Sequence, residues 1–66
     1  MLGDKITQLR LERNLSMNML AKKSGVSVSV LFYIESKNRD PRFSTICKLA
    51  KALKVSIDEF IEKNDI

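Results

Sequence analysis

The sequence predicts an all-α fold, a compact bundle of five helices, on three observations. The stretch from Leu20 to Glu35 reads as two short helices hinged at Gly25, a residue free to take the positive φ that a tight turn between helices needs. Apolar residues recur at three- and four-residue spacing on both sides of that hinge and again towards the C-terminus. Helices assigned on this spacing leave little room for strands. With 66 residues, one domain over 1–66 is the only sensible count, with a modest core.

Each element has its own signal. Helix 1 runs from about Asp4 to Arg13, with Ile6 and Leu9 on its buried stripe, Leu2 packing just before it and Asn14 as its stop. Helix 2 starts after Ser16, an N-cap residue, and ends near Ser24. Helix 3 starts after Ser27 and reaches about Ser36. Its Val26-Ser27-Val28-Ser29-Val30 opening alternates like a strand, but the run is short, a cap lies within it, and Leu31 and Ile34 continue at helical spacing. Pro41 forces Asp40 out of the α region, so 37–41 is a loop. Helix 4 runs from about Ser44 to Leu53 with Ile46, Leu49, Ala50 and Leu53 on one face, and Ser56 caps a last short helix carrying Ile57, Phe60 and Ile61.

Leu20, Val26, Leu31 and Ile34 are spaced to face one core, and Ala21 is small where two helices cross. The region of about 17–36 is therefore a helix-turn-helix, whose second helix, 28–36, can lie in the major groove of DNA. Charge agrees with such a partner. The net charge is +4, but residues 1–54 hold eleven Lys/Arg against four Asp/Glu, while 55–66 hold Lys63 against four acids. A basic body suits a polyanion and the acidic end points away from it.

Other classes have little support. One cysteine allows no internal disulfide, and with no histidine a zinc site has no ligand set. The sequence holds no nucleotide-binding glycine motif and no carboxylate pair set for acid–base work, so an enzyme, a cofactor and a small-molecule ligand are not expected. No apolar run approaches the roughly 20 residues of a membrane span, and Met1-Leu2-Gly3-Asp4-Lys5 opens no signal peptide. The expected location is cytoplasmic, with Cys47 reduced and packed on helix 4.

Taken in order, the motifs resemble the XRE family of lambda-repressor-like helix-turn-helix proteins. The resemblance rests on Ile6-x-x-Leu9-Arg10, then Leu15-Ser16, Leu20-Ala21 and Gly25-Val26-Ser27. It continues through Ile34-Glu35, Arg39-x-Pro41 and Leu49-Ala50-Lys51-Ala52-Leu53-x-Val55-Ser56-x-Asp58-Glu59. It implies a compact five-helix domain that binds operator DNA as a homodimer, and chains of this length are also similar to restriction–modification controller proteins and small Sin-like regulators.

By that resemblance Ser27, Val28, Ser29, Phe32 and Tyr33 are the base-contacting positions. Their chemistry departs from the usual Gln, Asn or Arg, and apolar contact with thymine methyls is the readout open to Val28 and Phe32. The expected operator therefore has thymines at the contacted positions. Phosphate contacts fall to Met17, Asn18, Ser36, Lys37, Asn38, Arg39, Arg42 and Ser44. Met17 stands where the family often has glutamine, so helix 2 must rely on its backbone amides and on Asn18. Lys37 stands where the family often has glycine. The matching Arg10–Glu35 pair is implied to be a structural ion pair rather than part of a reading site. Phe43, Val55, Ile57, Phe60 and Ile61 are the candidates for the dimer interface, some of which must instead close the core, with 54–66 as the dimerisation element.

The leading expectation is a double-stranded DNA-binding transcription regulator, either a repressor occupying an inverted-repeat operator or an activator touching RNA polymerase. The alternative is a protein-interaction module, such as an antitoxin or anti-repressor component, docking through the apolar face of helix 3.

Overall fold

The computed structural model describes residues 2–37 and 41–60. Four α-helices, α1 (Leu2–Glu12), α2 (Met17–Ser24), α3 (Val28–Lys37) and α4 (Phe43–Leu53), are followed by a 3-10 turn over Ile57–Phe60. The all-α expectation is met, but the fifth element is one 3-10 turn among the described residues and not an α-helix. Only four residues separate Ser56 from the end of the turn, and the amide of Glu59 donates to the Ser56 carbonyl in the tighter i to i+3 pattern. Ile61 lies outside the described residues.

Helix α1 packs on α3, α2 on both α3 and α4, and the 3-10 turn closes over α1 and α4. The core they share is Ile6, Leu9, Leu20, Val26, Leu31, Ile34, Leu49, Ala50, Leu53 and Phe60, all of them apolar. Phe60, one of the expected interface residues, is only 8% exposed and packs in this core. Val55 and Ile57 are half-buried against the same cluster, and Phe43 is the one expected interface residue among the described residues that is open, at 66%.

Helix ends account for the connections. The Ser16 hydroxyl accepts the Met19 amide at 3.1 Å and starts α2, and the Ser27 hydroxyl accepts the Val30 amide at 3.2 Å and starts α3. This local cap, with Leu31 and Ile34 buried, is why the Val-Ser alternation is helical. Three helices stop on a left-handed residue: Asn14 (φ 55°), Gly25 (φ 77°) and Lys54 (φ 58°). After α1 the Leu15 amide donates to the Arg10 carbonyl and the Asn14 amide to that of Leu11. After α4 the Val55 and Lys54 amides repeat this pattern on Ala50 and Lys51. Cations gather where these helices end: Arg13, Lys23 and Lys54 rim a hollow of about 200 Å³ floored by Leu15, Ala52 and Leu53. Arg13 donates from Nε to the Leu53 carbonyl at 2.8 Å and from Nη1 to that of Leu9 at 3.0 Å. Positive charge there complements the negative ends of three helix dipoles.

Element edges differ from the expected ones by one or two residues. Helix α1 begins at Leu2 because Gly3 is buried and Leu2 packs on the core, which outweighs the poor helix propensity of glycine. Helix α3 includes Lys37. Helix α4 begins at Phe43, with Arg42 in the N-cap position, where its side chain offers no oxygen for a cap.

A methyl group added at Gly25 would meet no atom within 4 Å, so Gly25→Ala isolates the cost of the left-handed backbone. The variant should lose about 1–2 kcal/mol. At roughly 4–8 °C per kcal/mol for a domain of this size, thermal unfolding followed by circular dichroism should show the midpoint fall by about 5–15 °C with helix content retained. An unchanged midpoint would mean that the turn does not need this conformation.

Candidate nucleic-acid interface

Helices α2 and α3 meet at the Gly25 turn. Leu20 on α2, Val26 in the turn, and Leu31 and Ile34 on α3 are all buried, so the inner faces are committed to the core. The opposite face of α3 is left to solvent: Val28, Ser29, Phe32, Tyr33 and Ser36 are all exposed, with Phe32 at 49% and Tyr33 at 48%. The two rings touch edge to face with centroids 6.1 Å apart and planes at 74°. Lys37, one turn beyond Tyr33, places its Nζ 5.9 Å from the centre of that ring. The i, i+4 spacing of Tyr33 and Lys37 was a visible signal for this stack, which the sequence reading did not use.

The orientation of this face is set from behind. Arg10 on α1 donates from Nε to Glu35 Oε2 and from Nη2 to Glu35 Oε1, both at 2.9 Å. The side chains are only 12% and 4% exposed. The third donor of the same guanidinium, Nη1, reaches the Leu15 carbonyl at 2.8 Å, in the turn between α1 and α2. The Thr7 hydroxyl lies 2.9 Å from both Glu35 Oε1 and the Gly3 carbonyl, and its single proton serves one of them. Thr7 and the Leu15 carbonyl complete the site around Glu35, and no sequence motif marked either. Every oxygen of Glu35 faces a donor, so its charge turns inward.

The remaining expected contacts are distributed as follows. Ser27 is exposed, but its oxygen is engaged by the Val30 amide. Asn18, Lys37, Arg42 and Ser44 are exposed, and Met17 is half-buried in the first turn of α2. Val30, absent from the expected set, is 41% exposed on a flank of α3. Asn38 and Arg39 lie outside the described residues. Cys47 is half-buried, no cluster of His, Cys, Asp or Glu could hold a metal among the described residues, and no described helix is long and apolar enough to cross a membrane.

A paired, capped helix lashed to a core while presenting its other face is the build of a helix-turn-helix nucleic-acid-binding domain. The helix-turn-helix family profile matches residues 6–60. The chain belongs to this helix-turn-helix family, of the XRE type. It is 42% identical over 62 residues to the HTH-type transcriptional repressor RghR of Bacillus subtilis (strain 168), covering 92% of this chain and 46% of that protein. It is 37% identical over 60 residues to the HTH-type transcriptional regulator SutR of Escherichia coli (strain K12), covering 91% of this chain and 34% of that one. The chain thus spans less than half the length of these relatives.

Removing Arg10 alone would strand a nearly sealed carboxylate. Arg10→Met should cost about 3–5 kcal/mol, the size expected for breaking one side of a buried pair, against a total of roughly 3–10 kcal/mol for a chain of this length. The double variant Arg10→Met with Glu35→Leu should recover most of that loss in urea unfolding. A double variant no more stable than the single one would show that the pair itself, rather than the stranded charge, carries the stability.

Proposed function

We propose that this protein is a cytoplasmic transcription regulator, acting as a repressor, that binds an inverted-repeat operator as a homodimer with α3 in the major groove. The observation that carries the reading is the uncovered outer face of α3, fixed from behind by the Gly25 turn and the Arg10–Glu35 pair. The similarity to RghR, a transcriptional repressor, favours repression.

Phosphate docking falls to groups around that face. The first amides of α2 and α4 have no intrahelical partner, and a helix N-terminus favours an anion. Asn18 and Ser44 lie in those first turns, and Arg42 precedes α4 without a side-chain cap. Ser36 and Lys37 extend the set at the end of α3, and Asn38 and Arg39, which lie outside the described residues, belong to the same proposed set. These contacts would supply affinity without sequence information.

Dimerisation doubles what one small module reads. Phe43, with the outer edges of Val55 and Ile57 and with Ile61, forms the proposed interface. Phe43→Glu should weaken self-association about tenfold or more in sedimentation equilibrium while the thermal midpoint at low concentration stays put, because the ring contributes little to the protomer core. A large loss of stability instead would show that the ring serves folding.

Selection from a random duplex library, with affinity repeated across salt, tests the whole reading. The expected result is an inverted repeat whose half-sites lie one turn, about 34 Å, apart, with affinity falling steeply as salt rises. Tight capture of a protein without selective DNA binding would instead establish the exposed Val28, Phe32 and Tyr33 face as a docking patch for a partner.

A further inference from the structure

The inference that follows rests on the reading in which α3 lies in the major groove. Between Val28 and Lys37 the chain has no glutamine, asparagine or arginine, and its one lysine, Lys37, stands at the last residue of the helix with its ammonium against the Tyr33 ring, so the first turns carry none of the side chains that grip adenine or guanine edges with two bonds. The one carboxylate in this segment, Glu35, is bonded twice by Arg10 with its side chain only 4% exposed, and is withdrawn from any cytosine amino group. The Ser27 oxygen accepts the Val30 amide as the N-cap of the helix, so this hydroxyl keeps only its proton and one lone pair for a base. What α3 presents is the apolar surface of Val28 and Phe32, the ring of Tyr33, and the hydroxyls of Ser29, Tyr33 and Ser36.

A hydroxyl both donates and accepts, so it meets a thymine O4 and a cytosine amino group equally well. Polar contacts from this face therefore do not separate the two pyrimidines. The feature left to discriminate is the substituent at pyrimidine C5, which projects into the major groove. Phe32 and Tyr33 suit it as a wall of fixed shape, since each ring braces the other and the Lys37 ammonium lies against the second.

We propose that α3 reads its operator through pyrimidine C5-methyl groups, and that it accepts 5-methylcytosine in place of thymine at the positions facing Val28 and Phe32. Methylation of a cytosine at such a position would then raise affinity. Each methyl should be worth about fourfold in binding, equivalent to the ~0.8 kcal/mol of one buried aliphatic carbon.

The test uses the intact chain and the operator recovered by selection, measured by fluorescence anisotropy at one salt concentration. Each thymine is replaced singly by deoxyuridine, which removes only the methyl, and, with guanine in place of the paired adenine, by cytosine and by 5-methylcytosine. At one or more thymines in each half-site, deoxyuridine and cytosine should weaken binding about fourfold, and 5-methylcytosine should restore it to within about twofold. Val28→Ala and Phe32→Ala, both at exposed positions, should flatten the thymine–deoxyuridine difference at the position each one faces, with circular dichroism confirming the fold. Selective operator binding with thymine and deoxyuridine indistinguishable everywhere would overturn methyl reading while leaving α3 in the groove. Failure to recover any motif would overturn the groove reading and this inference with it.

Discussion

Glu35 is a carboxylate placed where water hardly reaches, and the geometry of the domain follows from how that charge is met. Burying an ion pair is close to neutral or costly compared with apolar packing. The Arg10–Glu35 pair is therefore better understood as a device for alignment than as a source of stability. Ile6 and Leu9 against Leu31 and Ile34 bring α1 and α3 together, but apolar attraction has no direction and would tolerate sliding. A planar guanidinium bonded twice to one carboxylate tolerates much less. Because the same guanidinium also holds the Leu15 carbonyl, it fixes the entry to α2 as well as the lie of α3.

The connections show a second constraint, the economy of a short chain. Asn14, Gly25 and Lys54 each reverse the chain in a single left-handed residue, so the helices follow one another with little intervening loop. Asparagine and glycine tolerate this conformation. Lysine has no such excuse, and its placement is explained by Val55, which the turn delivers against the core, and by the favourable charge at the end of α4.

Much of this was legible beforehand. The hinge at Gly25, the caps at Ser16 and Ser27, the stop at Asn14 and the inward stripe of Leu20, Val26, Leu31 and Ile34 follow from local chemistry that a single sequence displays. Arg10 and Glu35 were paired only through resemblance, since nothing in a spacing of 25 residues brings two side chains together. What escaped notice depends on tertiary placement. Phe60 looks the same in a sequence whether it closes a core or meets a second copy, and only the fold shows which surface it lies against. Thr7 and the Leu15 carbonyl join the Glu35 site because helices cross there. The boundary at Leu2 moved because packing of a buried Gly3 overrode its propensity.

Helix α3 carries two interleaved sets of residues with separate duties. Leu31, Ile34 and Glu35 answer to the fold, while Val28, Ser29, Phe32, Tyr33 and Ser36 are exposed and make a smaller demand on it. Substitutions in the second set are therefore buffered from the stability threshold that filters most mutations. A lineage carrying this domain can explore new sequence preferences by changing a few outward side chains, one at a time, without passing through an unfolded intermediate. The same separation makes the helix a cassette: another outward set grafted onto these inward residues inherits a scaffold already in register.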